Sequence, residues 1–492
     1  MLKEKIYIAC LACCLGTAAW SQKEFNPIIP DNLADPSVVK FGDTFYLYGT
    51  TDIDQGLSKA GTPVVWKSKD FVNWSFDGSH IEGFDWKQGY PYTDTKGEHT
   101  GYFRYWAPGK VITKDGQYYL YVTFVKPDED AKTYVLLSEN PEGPFRFAGA
   151  RPGNADPLSG FENSVIAPDI DGEPFIDDDG RAYLFWRRRH ASRMQADWLH
   201  LEGRTVDIQT ARQGYSEGPV MFKRKGIYYY IYTLRGNQNY ANAYMMSRKS
   251  PLEGFEKPEG NDIFLFSSIE NNVWGPGHGN VFYDEEKDNY YFVYLEYGDG
   301  GTTRQVFVNR MEFNDDGTIR TLVPDRKGVG YLREPQEKRE NLALQADFRA
   351  SSVREPRSSE VVIETRPNSP LPDKASEKSA RRTRLFEAAL AGDDSNGTCW
   401  RAAGTDGTPW IMVDLKRPVY VDECRMAFVH PAEGHCWHME KSLDGENWEV
   451  CASQKVEKAC SPHIAGIRDE VRYLRLTIDK GAAGLWEWKI FR

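Results

Sequence analysis

The chain has 492 residues, 40% of them hydrophobic and 13% aromatic, enough for two to four domains with packed cores. Its formal net charge of −11 argues against a nucleic-acid backbone as partner, because phosphate binding needs clustered lysine and arginine. That balance fits a neutral ligand, and 27 tyrosines and 14 tryptophans favour strands over helices.

Residues 1–21 read as a secretory signal peptide. Lys3 and Lys5 precede an apolar run from Ile6 to Ala19 that is too short to span a bilayer, and small residues (Ala19, Ser21) lead to a cut after Ser21. The mature chain is therefore expected outside the cytoplasm, secreted or periplasmic, with no membrane span. Cys13 and Cys14 match a lipoprotein box poorly. The remaining cysteines, Cys399, Cys424, Cys436, Cys451 and Cys460, are odd in number and cannot all pair within one chain. No disulfide framework is available to the part before them.

Residues 22–330 carry an internal repeat. Five segments combine a turn signal with an alternating aromatic and aliphatic run: "GDTFYLYGT" (42–50), "DGQYYLYVTF" (115–124), "DGRAYLFW" (179–186), "KGIYYYIYT" (225–233) and "DNYYFVYLEY" (288–297). Their landmark aromatics, Tyr46, Tyr119, Tyr183, Tyr230 and Phe292, recur at 47 to 73 residues. That spacing holds a four-stranded unit with loops, so the region is expected to be all-β, a five-bladed β-propeller closed radially. Asp35, Trp106, Asp171, Glu217 and His278 lie 11 to 14 residues ahead of the landmarks. If each begins the innermost strand of its blade, the five converge at one end of the central axis.

Carboxylates gathered from separate blades suit glycoside hydrolysis. One group delivers a proton to the leaving oxygen, and another takes one from water or attacks directly. A third can raise the acid's pKa by like-charge repulsion. A non-catalytic glycan-binding propeller would have no use for acids that repel one another.

The segments "ADPSVVKFGDTFYLYGT", "YWAPGKVITKDGQYYLYVT", "DIDGEPFIDDDGRAYLFW", "SEGPVMFKRKGIYYYIYT" and "GPGHGNVFYD" together resemble glycoside hydrolase family 43. The resemblance implies an inverting enzyme acting on a polysaccharide or oligosaccharide, mainly releasing arabinofuranose or xylose from plant polysaccharide, with galactose-linked substrates as the alternative. It implies Asp35 as general base, Glu217 as general acid and Asp171 as the group that tunes and orients Glu217. It further implies Trp106 as an aromatic wall against the sugar, and His278 facing a hydrated structural calcium ion on the axis. Arg304 in the fifth blade is a further candidate for lining the pocket. Asp169, Asp171 and Glu173 alternate and would share one face of a strand, so Asp169 remains open as a substitute for Asp171. The run Arg187–Arg189 reads as a solvated face, with one arginine free to reach a substrate hydroxyl. The insertion at 84–105 could wall off one end of the cleft, which would favour exo action.

The repeat breaks at 331–342, a polar stretch expected as a linker. Residues 343–492 pattern as a β-sandwich. Stretches such as "GTCWRAAGTDGTPWIMVDLKRPVYVDECRM" and "RYLRLTIDKGAAGLWEWKIF" resemble a discoidin, or coagulation factor 5/8 C-type, domain. That resemblance implies a carbohydrate-binding module or a brace for the propeller. Residues 354–385 are polar and longer than the pattern expects, and are read as an inserted, mobile loop.

Overall fold

The computed structural model describes residues 23–492 apart from 54–58, 82, 128–130, 151–157, 235–238, 300–302, 366–375 and 406. The expected signal peptide lies outside the described residues. The described chain is almost entirely strands and turns, with helix limited to short 3₁₀ segments.

Five antiparallel sheets follow one another in chain order. Each landmark aromatic lies on the second strand of its sheet: Thr44–Thr51, Gln117–Val125, Ala182–Trp186, Ile227–Leu234 and Asn289–Glu296. Two of the hairpin turns entering these strands, Asp115–Gly116 and Lys225–Gly226, hold both residues at positive φ. That twist matches the flanking strands, and glycine adopts it without steric cost.

The aromatic runs are explained by burial on both faces. All eight residues of Ile227–Leu234 are buried. Tyr229 and Ile231 point into the seam with the fifth sheet, whereas Tyr228, Tyr230 and Tyr232 point into the seam with the third. A period of two therefore sends alternate residues into neighbouring seams. Each of the five seams is one apolar cluster, and the last closes the fifth sheet on the first through Phe45, Leu47, Phe282, Val293 and Val306. Each fully buried aliphatic or Phe side chain contributes roughly 1.5–3 kcal/mol. Residues 26–28 fasten that last seam by lying along the strand Gln305–Met311: Ile28 N donates to Val306 O at 2.9 Å, and the Asn26 amide both donates to Val308 O and accepts from Val308 N.

The C-terminal part is a sandwich-like domain with strand order Trp400–Arg401, Gly484–Phe491, Trp410–Phe428, His463–Lys480, His435–Ser442, Glu449–Lys458. Its core holds Trp400, Trp488, Met426, Met439, Leu474 and Leu476. The five cysteines are free thiols, three of them buried. The stretch expected as a linker runs along the propeller. Leu332 N donates to Asp70 O, Gln336 N donates to Asp70 Oδ2, and Arg333 makes a two-pronged pair with Asp284 at 2.7 and 2.8 Å. The strand Phe76–Asp77 of the propeller pairs with Cys460–Ser461 of the sandwich.

Residues 354–385 differ from the mobile loop expected of them. Arg357–Thr365 and Ser376–Arg384 form a two-stranded hairpin. Most of their described residues are exposed, but Arg382 is buried against Glu296 and Asp299 of the fifth blade.

Candidate active site

Ordinary antiparallel pairing is broken at the head of the inner strand in every blade. Asp35, Ala107, Asp171, Gly218 and His278 all have positive φ, between 34° and 66°. Pairing registers shift at three of these points, between Ala34 and Ser37, Glu217 and Val220, and Gly277 and Asn280. Four of the five residues carry a β-carbon, and such backbone costs on the order of 1–3 kcal/mol each.

Threonines hold these turns across the seams. Thr50 Oγ1 accepts from Ala107 N at 2.8 Å, Thr123 Oγ1 from Asp171 N at 2.9 Å, and Thr233 Oγ1 from His278 N at 3.0 Å. In each case a hydroxyl on the second strand of one blade seats the special residue of the next. Thr50 also donates to Asp35 Oδ2 at 2.7 Å.

Asp35, Asp171 and Glu217 come together at this end of the axis, each residue less than a tenth exposed (8%, 5% and 8%). The Nδ1 of His278 lies 3.4 Å and a guanidinium nitrogen of Arg304 3.6 Å from Asp35 Oδ1. Burial alone would raise the Asp35 pKa, but His278, Arg304 and the Thr50 hydroxyl hold it below the ordinary value. Asp171 is different. Burial pushes its carboxyl up to about 7, with His278 opposing and Glu217 adding to the rise. Gly218 N donates to Asp171 Oδ2 at 3.1 Å, so Asp171 is fixed to the residue following Glu217.

Glu217 is covered by two tyrosines that the sequence did not single out. The Tyr215 hydroxyl donates to Glu217 Oε2, and Tyr240 hydrogen-bonds the same side chain. Burial first, and then the Glu217 charge, push both phenol pKa values up, so both stay protonated. Arg304 is locked by Asp52, with Nε donating to Oδ2 at 2.8 Å and a terminal nitrogen donating to Oδ1 at 2.7 Å. Trp106 is half-buried at the head of the second blade, with the Arg104 guanidinium 4.7 Å from its ring centre.

Asp169 does not share this site. The chain bends at 168–172, so Asp169, Asp171 and Glu173 do not lie on one strand. Asp169 pairs instead with Arg187 and Arg188 at 3.7 and 3.3 Å. Glu173 is buried beneath, held by Lys110 N and Asn280, and burial pushes it up to about 7.

The expected calcium ion would be held through its own water shell rather than by direct side-chain ligands. Among the described residues no group of three or more His, Cys, Asp or Glu is arranged to hold a cation. Burial opposes protonation of His278, yet Asp35, Asp171 and Glu217 hold its pKa above the ordinary value.

Comparison with known proteins bears on the fold and the family. The profile of "NedA-like, galactose-binding domain" matches residues 390–476. A solved structure described as a glycoside hydrolase superposes with a TM-score of 0.81 at 39% identity, covering 94% of this chain and 98% of that one. A β-D-galactofuranosidase of Aspergillus niger is 27% identical over 331 residues, 64% of this chain and 89% of that protein. A non-reducing end α-L-arabinofuranosidase of Bacteroides ovatus is 27% identical over 261 residues, 51% of this chain and 43% of that protein. The profile of glycosyl hydrolases family 43 matches residues 25–319, more than half of the chain, and the chain belongs to that family of glycosidases.

Proposed function

We propose that the enzyme removes one terminal sugar from a plant polysaccharide or oligosaccharide, with inversion, as an α-L-arabinofuranosidase or β-xylosidase. The observation that carries this reading is the near-complete burial of all three carboxylates. An endo-acting enzyme needs an open groove along which a chain can lie, and acids this little exposed suit a pocket that takes one chain end. A β-D-galactofuranoside is the second reading, favoured by the Aspergillus relative. Its ring has the configuration of α-L-arabinofuranose and differs in the exocyclic chain. A leader at 1–21 would export the enzyme to such substrates.

The roles follow from the positions of the acids and from the charge held on Asp35. Asp35, held ionised by His278, Arg304 and Thr50, takes a proton from a water molecule. The water oxygen bonds to the anomeric carbon from one face of the ring. Glu217 gives its proton to the glycosidic oxygen as that carbon–oxygen bond breaks on the other face. Asp171 keeps a proton in the acid pair to near-neutral pH, since two neighbouring buried carboxylates do not both ionise readily. Tyr215, 43% exposed and bonded to Glu217, stands where the leaving group departs. Trp106 supplies an apolar wall for the sugar ring.

The test is Glu217→Gln assayed on nitrophenyl arabinofuranoside, xyloside and galactofuranoside and on the matching methyl glycosides, with NMR of the first-formed anomer. The expected loss is about 10²–10⁴-fold in kcat on a poor leaving group. It should shrink on an activated phenol, which needs no proton. An equal loss on both leaving groups would remove Glu217 from the acid's role, and a retained anomer would end the inverting assignment.

A further inference from the structure

The hairpin Arg357–Thr365/Ser376–Arg384 belongs in sequence to the sandwich, yet three of its arginines, Arg357, Arg382 and Arg384, meet the propeller. Arg382 is 6% exposed at its side chain, and its partners Glu296 and Asp299 are 1% exposed. It donates to Glu296 Oε1 at 2.9 Å and to Gly298 O at 3.1 Å, and its Nε lies 3.2 Å from Asp299 Oδ1. Its guanidinium also lies flat against Trp274, 3.9 Å from the ring centre. Arg384 adds a pair with Asp299 at 2.6 Å, and Arg357 donates to Asp299 O.

The gripped residues are the roots of the site. Glu296 accepts from Trp274 N at 3.1 Å and Gly298 N at 3.0 Å, which ties the turn before His278 to the turn before Arg304. Tyr297 N donates to Trp274 O. The same hairpin accepts at Val362 O from Asn239, the neighbour of Tyr240. Tyr240 in turn packs against Gly277 so closely that an added β-carbon there would lie 2.6 Å from it. One element outside the propeller thus reaches the supports of Tyr240, His278 and Arg304.

We infer that Arg382 is a positioning residue for catalysis, and that the sandwich hairpin is a working part of the active site rather than an appended sugar-binding module. Its guanidinium neutralises Glu296 and Asp299 and holds together the two turns that aim His278 and Arg304 at Asp35. Without it, two buried carboxylates repel, the turns separate, and the cations that keep Asp35 ionised move away. A displacement of about 1 Å in such a constellation can cost 10²-fold in rate.

The inference rests on Asp35 and Glu217 as the catalytic pair. The experiment compares Arg382→Ala, Arg382→Lys, Arg384→Ala and Glu217→Gln in the full chain, each checked for native tryptophan fluorescence. The expected result for Arg382→Ala is a fall of about 10²-fold in kcat with a smaller change in KM, and an acid limb of kcat/KM moved to higher pH. Arg382→Lys should recover part of the loss, and added guanidinium ion should partly rescue Arg382→Ala. A folded Arg382→Ala with wild-type kcat, KM and acid limb overturns the inference. If that variant does not fold, Arg384→Ala decides in the same way, with a loss of about tenfold and a shifted limb expected. Full turnover by Glu217→Gln would instead overturn the reading of the catalytic pair. An inactive Glu217→Gln beside wild-type-like arginine variants would overturn only the role of the hairpin.

Discussion

Asp171→Asn is expected to strengthen the fold at neutral pH while damaging catalysis. Asparagine keeps the shape of the side chain, and its oxygen can still accept from Gly218 N. What disappears is a buried group that resists ionisation. Its pKa rises from 3.8 to about 7, mainly through burial and against His278. At about 1.4 kcal/mol per pH unit, a rise of about three corresponds to roughly 4 kcal/mol. The folded pKa lies above the unfolded value. The stabilising contribution is therefore complete below about pH 4 and is lost progressively as pH climbs to about 7. The variant lacks this titration, so its advantage over wild type should be near zero at pH 4 and approach roughly 4 kcal/mol at pH 8. Urea unfolding of both proteins, followed by tryptophan fluorescence across that range, measures the difference, and other carboxyl groups largely cancel in it. Activity should move the opposite way, with kcat lower because the acid pair loses its second carboxyl. A stability difference that stays constant from pH 4 to pH 8 would refute the reasoning.

Arg304→Met leaves Asp52 buried without its partner and is expected to cost about 3–5 kcal/mol. It also removes a cation beside Asp35, so the acid limb of the pH–rate profile should move upward; thermal unfolding and kcat/KM against pH check both. Gly218→Ala places a β-carbon 2.9 Å from the His278 ring at a φ of +52°. Calorimetry should show destabilisation of about 1–3 kcal/mol, and kcat should fall as the ring beside Asp35 is pushed aside.

The propeller was legible because its signal is local and repeated. A turn, glycine-containing in four of the five copies, followed by a largely buried strand recurs five times, and each copy can be recognised from about ten neighbouring residues. The convergence of Asp35, Asp171 and Glu217 followed from rotational repetition alone. Arg304 and His278 were singled out from the sequence, but the contacts that set the charge at the site were not legible, because they reach across the ring. Arg304 meets Asp52 across 252 positions of sequence, and Arg382 meets Glu296 across 86. A threonine three or four residues after the landmark aromatic in the first, second and fourth blades was a usable clue to the hydroxyl contacts. The alternation of Asp169, Asp171 and Glu173 suggested a shared strand face, but left-handed backbone at Asp171 turns the chain before the strand begins at Glu173. The polarity of 354–385 suggested solvent, which holds for most of its described residues, but for Arg382 and Arg384 the structure supplies buried counter-charges.

The seating of one blade's special residue by the previous blade's threonine has a consequence for assembly. No fragment of the ring contains a complete catalytic centre, since Asp35, Asp171 and Glu217 come from three blades and the cations beside Asp35 from the fifth. The seam between the fifth blade and the first joins the two ends of the propeller's sequence, so it is available only to a finished ring. During refolding, the return of turnover should therefore report the moment of circular closure, later than the recovery of strand content by circular dichroism.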